Sequence, residues 1–515
     1  MKNTILYTIC LISIVFWSSC RKDFDTAPST GNLHFSKDTV YLDTIFSNIG
    51  SSTYNLKVYN RSSEDINIPS IKLGKGQQSN YRLNVDGIAG KEFTNVELLA
   101  KDSLYIFIET TVDIKAETQQ NNFLYTDHIA FDQGALEQKI SLVTLVKDAV
   151  FLYPEKDENG TKEQLQFGTD EEGNPIYQEG FFLDDTELHF TNQKPYVIYG
   201  YAAVPPGKTL QLDAGARVHF HNQSGLIVSN TASLHVNGMP SQDQKLLENE
   251  VIFESDRLEP DFSELSGQWE TIWLSQGSTN NKINYATIKN ATVGILVDAT
   301  DGSNNPTLEI NNTQIYNSSS IGLWAKNSHI TSNNLVVGNS GQISLNLSFG
   351  GNYTFNNATI TNYASNRPSS SYALAIQNIL ETPDIIYQAP LTQATFNNCI
   401  IYGNKNYEFI LNQTDETDFN FQFNNCLLRF NDYRNLYTNK ALYNFEDETF
   451  YNTILRNDDP LFIAPQENNY NIPHESPANG FANPTSATPT DVTGKPRSNQ
   501  PDAGAYESTN LPEEE

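Results

Sequence analysis

Positive charge is scarce in this chain, and so are cysteine and helical periodicity. Lysine and arginine number 32 against 61 aspartates and glutamates, a formal net charge of −29 over 515 residues. A polyanion of this kind is repelled by nucleic acid and by an anionic membrane surface, so neither is expected as a main partner. The four cysteines include Cys10 and Cys20 near the start, which leaves no disulfide framework. Long amphipathic helical patterns are few while Asn and Thr abound, which points to an all-β chain. A Ser-His-Asp order, a Cys-His nucleophile pair and a phosphate-cradling glycine loop are all missing. The length is enough for two or three domains with sizeable cores.

What is present is a repeated phrase between Tyr285 and Asn431. An Asn is followed by a small residue, one further residue and an aliphatic, with another Asn shortly after. Examples are Asn312-Thr313-Gln314-Ile315-Tyr316-Asn317, Asn357-Ala358-Thr359-Ile360-Thr361-Asn362 and Asn425-Cys426-Leu427-Leu428. The copy at Tyr285 keeps its Asn one place early, at Asn284. Starts lie about 22 to 41 residues apart, a spacing typical of stacked-coil solenoids. Residues two apart on a strand share a face. The small row (Ala286, Thr313, Leu335, Ala358, Cys399, Cys426) and the aliphatic row (Ile288, Ile315, Val337, Ile360, Ile401, Leu428) therefore both point inward. Stacking puts like residues roughly 4.8 Å apart. Asn suits the corners, because it tolerates a left-handed backbone and bonds to nearby backbone groups. The expectation is a parallel β-helix.

The chain divides as follows. Residues 1–19 carry a basic start and an apolar run too short to span a membrane comfortably, and read as an export signal peptide. Residues 32–148 alternate in short strands, such as Tyr54–Tyr59 and Ser103–Ile108, which suits an immunoglobulin-like β-sandwich acting as a spacer or a binding module. Residues 149–184 are acidic and read as a connector, residues 185–457 as the β-helix and residues 458–515 as a capping tail. Counting about 24 residues per coil, Asp185 to Asn431 would hold roughly ten coils. Residues 432–457, rich in Tyr, Asn and acids, read as a further coil or a side loop.

Phe16-Trp17-Ser18-Ser19-Cys20 resembles a bacterial lipobox, with Trp17 where such boxes carry Leu. The following Arg21-Lys22-Asp23-Phe24-Asp25 resembles the signal that sends Bacteroidetes lipoproteins to the outer face of the outer membrane. The resemblance implies lipidation of Cys20, with residues 20–31 as a flexible tether; simple secretion with cleavage elsewhere is the rival reading. From Asp185 to Glu507 the chain resembles the right-handed β-helix repeat proteins found as surface lipoproteins of Bacteroidetes. The resemblance rests on Pro205–Phe220, Gly225–Val228, Leu234–Gly238, Gly267–Leu274 and the tail segments Asp459–Phe462, Asp491–Arg497 and Pro501–Glu507. It implies a tail that lies over the end of the helix and covers its last coil, as an open terminal coil would be an aggregation-prone edge.

The candidates for chemistry are scattered. The hallmarks of pectin-cutting hydrolases (Asn-x-Asp, paired Asp, Gly-His-Gly, Arg-x-Lys) are not found as an ordered set. Asp184-Asp185 and Asp458-Asp459 are paired, but at opposite ends of the helix. Lys289, Lys326 and Arg429 face outward with no evident acidic partner in register, and read as surface cations. Asp157–Gly160, Asp170–Asn174, Asp298–Gly302 and Asp415–Asp418 could each hold calcium, but loops of solvated acids are the favoured reading. His219, His221 and His235 lack a third metal ligand and read as structural or exposed. Trp269 and Trp273 could stack on a sugar, with packing under a loop preferred. Cys399 and Cys426 are expected as buried reduced thiols rather than a disulfide. No catalytic residue, cofactor or metal ligand is assigned. The expected function is a non-catalytic binding or scaffold module on the cell surface, anchored by lipid in the outer membrane. Its partner would be a surface glycan or an outer-membrane protein complex; the alternative is a polysaccharide lyase or glycoside hydrolase.

Overall fold

The computed structural model describes residues 26–510 apart from 170–171, 366, 382–384 and 415. Cys20 and its lipobox lie outside the described residues. The chain separates into two compact units, with Asp148 closing the first and Ala149 opening the second.

The first unit is built from two sheets around one core. One sheet orders Ala27–Pro28, Ile66–Leu73, Asn122–Phe131, Gln138–Lys147 and Thr39–Phe46, with Glu92–Leu98 also paired to Ile66–Leu73. The other orders His34–Phe35, Tyr54–Tyr59, Ser103–Thr110, Tyr81–Val85 and Ile88–Gly90. Alternation along the strands decides the inner faces. Leu56, Val58, Ile106 and Ile108 of one sheet share a hydrophobic cluster with Val40, Leu42, Ile129 and Leu142 of the other.

The second unit is dominated by long parallel sheets and resembles a β-helix, a solenoid-like fold. One face is a ten-stranded sheet running from Gln164–Thr169 through Tyr201–Val204, Ile272–Leu274 and Ile321–Lys326 to Phe409–Asn412. All but two of the remaining strands form one seventeen-stranded sheet that folds into two flanks; Ile379–Glu381 and Ile386–Gln388 pair with each other as a separate antiparallel hairpin. Single strands run through the fold: Asn281–Lys289 pairs with Ser233–Asn237 through its first half and with Val251–Ser255 through its second. The expected inward rows hold throughout. Ala286, Thr313, Leu335, Ala358, Cys399 and Cys426 are fully buried, as are Ile288, Ile315, Val337, Ile360, Ile401 and Leu428. Pairing places Ile288 on Ile315, Ile315 on Val337, Val337 on Ile360, and Ile360 on Ile401.

The bend between the flanks is made by one residue per coil in a left-handed conformation. Tyr285, Asn312, Asn334, Asn357, Asn398, Asn425 and Thr453 have φ between 47° and 56°. Asn accepts this region more readily than any other residue with a side chain except its close relatives, so five of the seven are Asn. At the first corner Tyr285 takes the strained position and the Asn stands one place earlier, as the displaced repeat anticipates.

Two sequence-based expectations are corrected, and a third is resolved. The acidic stretch 149–184 is more than a connector, because the parallel stack starts inside it. Val150–Leu152 pairs with Tyr196–Ile198, and the hairpin of Gln164–Thr169 and Pro175–Phe182 adds to the ten-stranded sheet through Tyr201–Val204. Residues 432–457 supply both alternatives: Tyr451–Arg456 is a further strand paired parallel to Gln422–Leu428, preceded by an aromatic loop. That loop, not the tail, packs against the inward-facing side chains of the last coil. Tyr437, Tyr443 and Phe445 pack on Phe409 and Phe430, and the Tyr443 hydroxyl bonds to both the N–H (2.8 Å) and the C=O (3.3 Å) of Leu411.

The tail instead lies across the outer side of the second flank. Residues that alternate with the inward rows, Val336, Ile400, Tyr402 and Leu427, face away from the coil interior yet are buried by Tyr470, Ile472, Val492, Ala503, Ala505 and Tyr506. Their apolar character supplies the reason, since an outward row left in water would form an exposed apolar stripe. The corner asparagines are the docking points. Asn334 donates to the Thr490 carbonyl (2.9 Å), Asn398 to that of Asn483 (3.2 Å) and Asn425 to that of Phe481 (3.4 Å). Gly504 sits at φ 89° with its N–H on the Asn398 carbonyl, and a Cβ there would stand 2.7 Å from Ile400.

Asn357 therefore does two jobs, holding the left-handed corner and donating to the carbonyls of Asp502 and Gly504 while accepting from Thr488 N–H at 3.0 Å. Asn357→Ala is expected to cost about 2–3 kcal/mol, combining backbone strain with lost buried hydrogen bonds. Asn357→Gly should cost about 1 kcal/mol less, because glycine relieves the strain alone. Equal losses in urea denaturation would show that the corner conformation carries no cost.

Candidate functional site

The first flank carries a column of amides on its outer surface. Asn237, Asn284, Asn311, Asn333, Asn356, Asn397, Asn424 and Asn452 stand in register on successive coils, and all but Asn237 come directly before a left-handed corner. The alternation that points the small and aliphatic rows inward turns this column outward. Asn333 donates to Asn311 (2.9 Å), Asn356 to Asn333 (3.0 Å), Asn397 to Asn356 (2.9 Å) and Asn424 to Asn397 (2.9 Å). A second ladder runs through the corner, from Asn334 to Asn312 (2.8 Å) and from Asn312 to Asn284 (3.0 Å). Each ladder amide has two donors and two lone pairs, so pairing along the column leaves hydrogen-bonding capacity toward solvent. The six from Asn284 to Asn424 are half-buried, which holds the amide planes while leaving an edge accessible, and Asn237 and Asn452 at the two ends are exposed.

Where the tail docks on the corner beside this flank it raises a wall. Residues 486–490 and the column enclose an open cavity of about 570 Å³, floored by Asn237, Asn284, Asn311 and Asn333 with Lys282 and Glu309 at its side. That volume suits a small ligand or a few units of a polymer. Lys282 and Glu309 lie in register on adjacent coils, so one cation and one anion border a surface that is otherwise neutral and polar. Such a surface exchanges hydrogen bonds with hydroxyl-rich ligands.

A second constellation lies on the outer side of the second flank. His219, Glu254 and Lys289 occupy one register row. Glu254 is 3.0 Å from Lys289 and 3.8 Å from His219. Burial pushes the Glu254 carboxyl up, but His219 and Lys289 pull it further down, so it lies below the usual carboxylate range. Nearby Glu250 is buried, accepts from Thr287 Oγ1 at 2.9 Å, and is pushed up by desolvation. Their surroundings thus shift the two carboxyls in opposite directions.

The sequence missed this row and misread two of its cations. Lys289 and Lys326 do have acidic partners in register, Glu254 and, at 3.7 Å, Asp298. Their partners sit on the preceding coil, and unequal loops between coils hide that pairing in one dimension. Arg429 donates to the Lys405 carbonyl at 3.1 Å. His219 bonds to the Ser255 carbonyl (3.0 Å), His221 to Asp256 (2.8 Å) and His235 to the Asn280 carbonyl (3.1 Å). Trp269 is fully buried and stacked on Phe220, while Trp273 faces outward against Phe167 of the hairpin.

Asp184 accepts from the turn it begins, and Asp185 pairs with Lys208 at 2.7 Å; Asp459 accepts from Leu461 N–H. Asp157 and Asp301 close their own turns through Asn159, Thr161 and Ser303 N–H groups. Asp170, Glu171 and Asp415 lie outside the described residues. No group of three or more His, Cys, Asp or Glu side chains is placed to hold a metal among the described residues. Cys399 and Cys426 are free, buried thiols. Their Sγ atoms donate to the Asn397 and Asn424 carbonyls, and burial pushes the Cys399 thiol up.

No protein-family model and no curated protein matches the chain. Among solved structures, the catalytic unit of a GH87 α-1,3-glucanase from Streptomyces thermodiastaticus aligns over 72% of this chain and 74% of its own, at 10% identity and a TM-score of 0.27. A family 123 glycoside hydrolase from Clostridium perfringens aligns over 22% of this chain and 24% of its own, at 10% identity and a TM-score of 0.16. The periplasmic chaperone SfaE aligns over 28% of this chain and 82% of its own, at 13% identity and a TM-score of 0.15. Likeness at these scores carries no argument about activity.

Proposed function

We propose that this chain is a non-catalytic binding module, a surface lipoprotein of Bacteroidetes type anchored in the outer membrane through a lipid on Cys20. In this reading an immunoglobulin-like sandwich precedes a right-handed parallel β-helix whose first flank is the binding face, exposed outside the cell. The observation that carries it is the amide column, half-buried and self-paired, flooring an open cavity on that flank. Preorganised amides lose little entropy on binding and match the paired donors and acceptors of sugar hydroxyls, so a surface glycan is the favoured ligand. An outer-membrane protein complex is the other partner this face could serve.

The test is retention of the full chain on immobilised bacterial-surface and plant cell-wall oligosaccharides, beside Asn333→Ala. The variant removes the middle rung and is expected to lose about tenfold in affinity, the equivalent of one or two hydrogen bonds. No retention on any glycan, together with stoichiometric co-purification of a barrel protein from outer membranes, would move the partner from sugar to protein. The enzymatic reading is favoured by the Glu254–Lys289–His219 row alone. Release of reducing or unsaturated sugars by the wild type, abolished in Glu254→Gln, would sink the non-catalytic proposal.

A further inference from the structure

The outer face of the five-strand sheet in the first unit departs from the polar surface that a solvated antiparallel sheet normally shows. Tyr105 and Phe107 alternate with buried Ile106 and Ile108 and point away from the core, with 47% and 45% of their surface exposed. Their ring centroids are 6.3 Å apart and their planes lie within 15°. On the neighbouring strand Lys57 stands directly opposite Tyr105, and Asn55 opposite Phe107. The Lys57 ammonium lies 5.0 Å from the Tyr105 ring and 5.3 Å from that of Tyr59. Asn84 flanks Phe107 from the other side. Arg82 and Glu109, 3.7 Å apart, neutralise each other at the border.

Lys57 has no carboxylate within ion-pair distance among the described residues. Most lysines and arginines among the described residues likewise pair with no carboxylate, so the setting of Lys57 is what sets it apart. The lysine is held between two aromatic rings instead, where the attraction is to the ring faces. The patch therefore combines apolar ring surface, two amides and one unneutralised cation on a flat sheet.

We infer that this face is a second binding site, separate from the amide column, for a glycan whose pyranose units carry carboxylates. Sugar C–H faces pack on Tyr105 and Phe107, Asn55 and Asn84 bond to ring hydroxyls, and Lys57 pairs with a uronate carboxylate. Charge complementarity selects the ligand: a neutral sugar would leave Lys57 unpaired, and a phosphate-rich polymer would meet the repulsion of the whole acidic chain. A short uronate oligomer escapes most of that repulsion, because charges beyond about 8 Å are screened at physiological salt. The inference does not depend on the first flank binding anything, and it makes the first unit more than a spacer.

The test uses the full chain from residue 21, titrated with a galacturonate hexamer and with a neutral hexamer of glucose by calorimetry. Galacturonate is expected to bind at least about tenfold more tightly than the neutral oligomer, with affinity falling as salt rises. Tyr105→Ala and Phe107→Ala should each weaken it at least about tenfold. Lys57→Gln should erase the preference for the acidic sugar. All three sites are surface positions, and unchanged circular dichroism would confirm intact folding. Absence of galacturonate binding at millimolar concentration, or equal binding of the two sugars with Lys57→Gln silent, would overturn the inference. Galacturonate binding lost in Asn333→Ala but kept in Tyr105→Ala would also overturn it, while leaving the amide column as the sugar site.

Discussion

Glu408→Ala is expected to destabilise the second unit by about 3–5 kcal/mol, among the larger losses a single substitution produces. Glu408 is fully buried and its partner Arg367 keeps 2% of its side-chain surface in water. Both guanidinium Nη atoms donate to the carboxylate, which also accepts from Lys405 N–H at 2.7 Å and Ala373 N–H at 3.2 Å. Burial pushes the Glu408 carboxyl above the usual carboxylate range, against the downward pull of Arg367. The arrangement ties the loop after Asn362 to the coil of Ile400–Gly403 and Phe409–Asn412. Removing the carboxylate strands a guanidinium in low dielectric, left with Asn404 as its remaining side-chain acceptor among the bonds described.

Removing both charges should be milder than removing one, because the desolvation cost disappears with them. Glu408→Ala combined with Arg367→Ala is thus expected to fall short of the sum of the two single losses by about 1–3 kcal/mol. The measurement is urea denaturation followed by tryptophan fluorescence, which follows the second unit because Trp269, Trp273 and Trp324 all lie within it. Strictly additive losses would show that the pair contributes nothing as a pair.

Arg497→Ala is expected to release the tail, again at a cost of about 3–5 kcal/mol. The side chain is nearly sealed from solvent and pairs with buried Glu507 at 3.0 Å. Its other donors reach Asn334 Oδ1 (3.0 Å), the Gly504 carbonyl (2.9 Å), the Asp502 carbonyl (3.2 Å) and Thr488 Oγ1 (3.0 Å). One guanidinium thus joins three segments of the tail to a corner of the stack. Lysine offers a point charge without the planar fork, so Arg497→Lys should recover little. Loss of the tail uncovers Val336, Ile400 and Leu427, so the variant should bind a hydrophobic dye and be cut within residues 458–510 by a low dose of protease. Protease resistance equal to that of the wild type would show that the tail is held without this residue. The wall of the cavity at residues 486–490 belongs to the same tail, so ligand binding on the first flank should weaken as the tail is lost.

The docking of the tail also separates what a linear reading can and cannot find. The tail segments Asp491–Arg497 and Pro501–Glu507 are visible as motifs, and Asp491 does close its turn by accepting from Thr493 and Lys495. Which surface they cover is not visible, because both an end coil and a flank offer apolar residues. The signal that could have decided it is the apolar character of the outward positions Val336, Ile400 and Leu427, which a coil wetted on that side would not carry. The acidic stretch 149–184 misled for a related reason. Its strands are short and set among acidic turns, and they are strands because the coils that follow present edges for them to pair with.

The inward columns, the left-handed corners at Asn312 to Asn425 and the all-β character follow from the order of residues alone, since period-two alternation and backbone sterics act over two or three neighbours. Tertiary structure alone decided which outward residues meet: Glu254 with Lys289, Arg497 with Asn334, the aromatic loop with the last coil. Those partners are set by coil stacking, and loops of unequal length between coils leave no fixed spacing from which the pairing could be read.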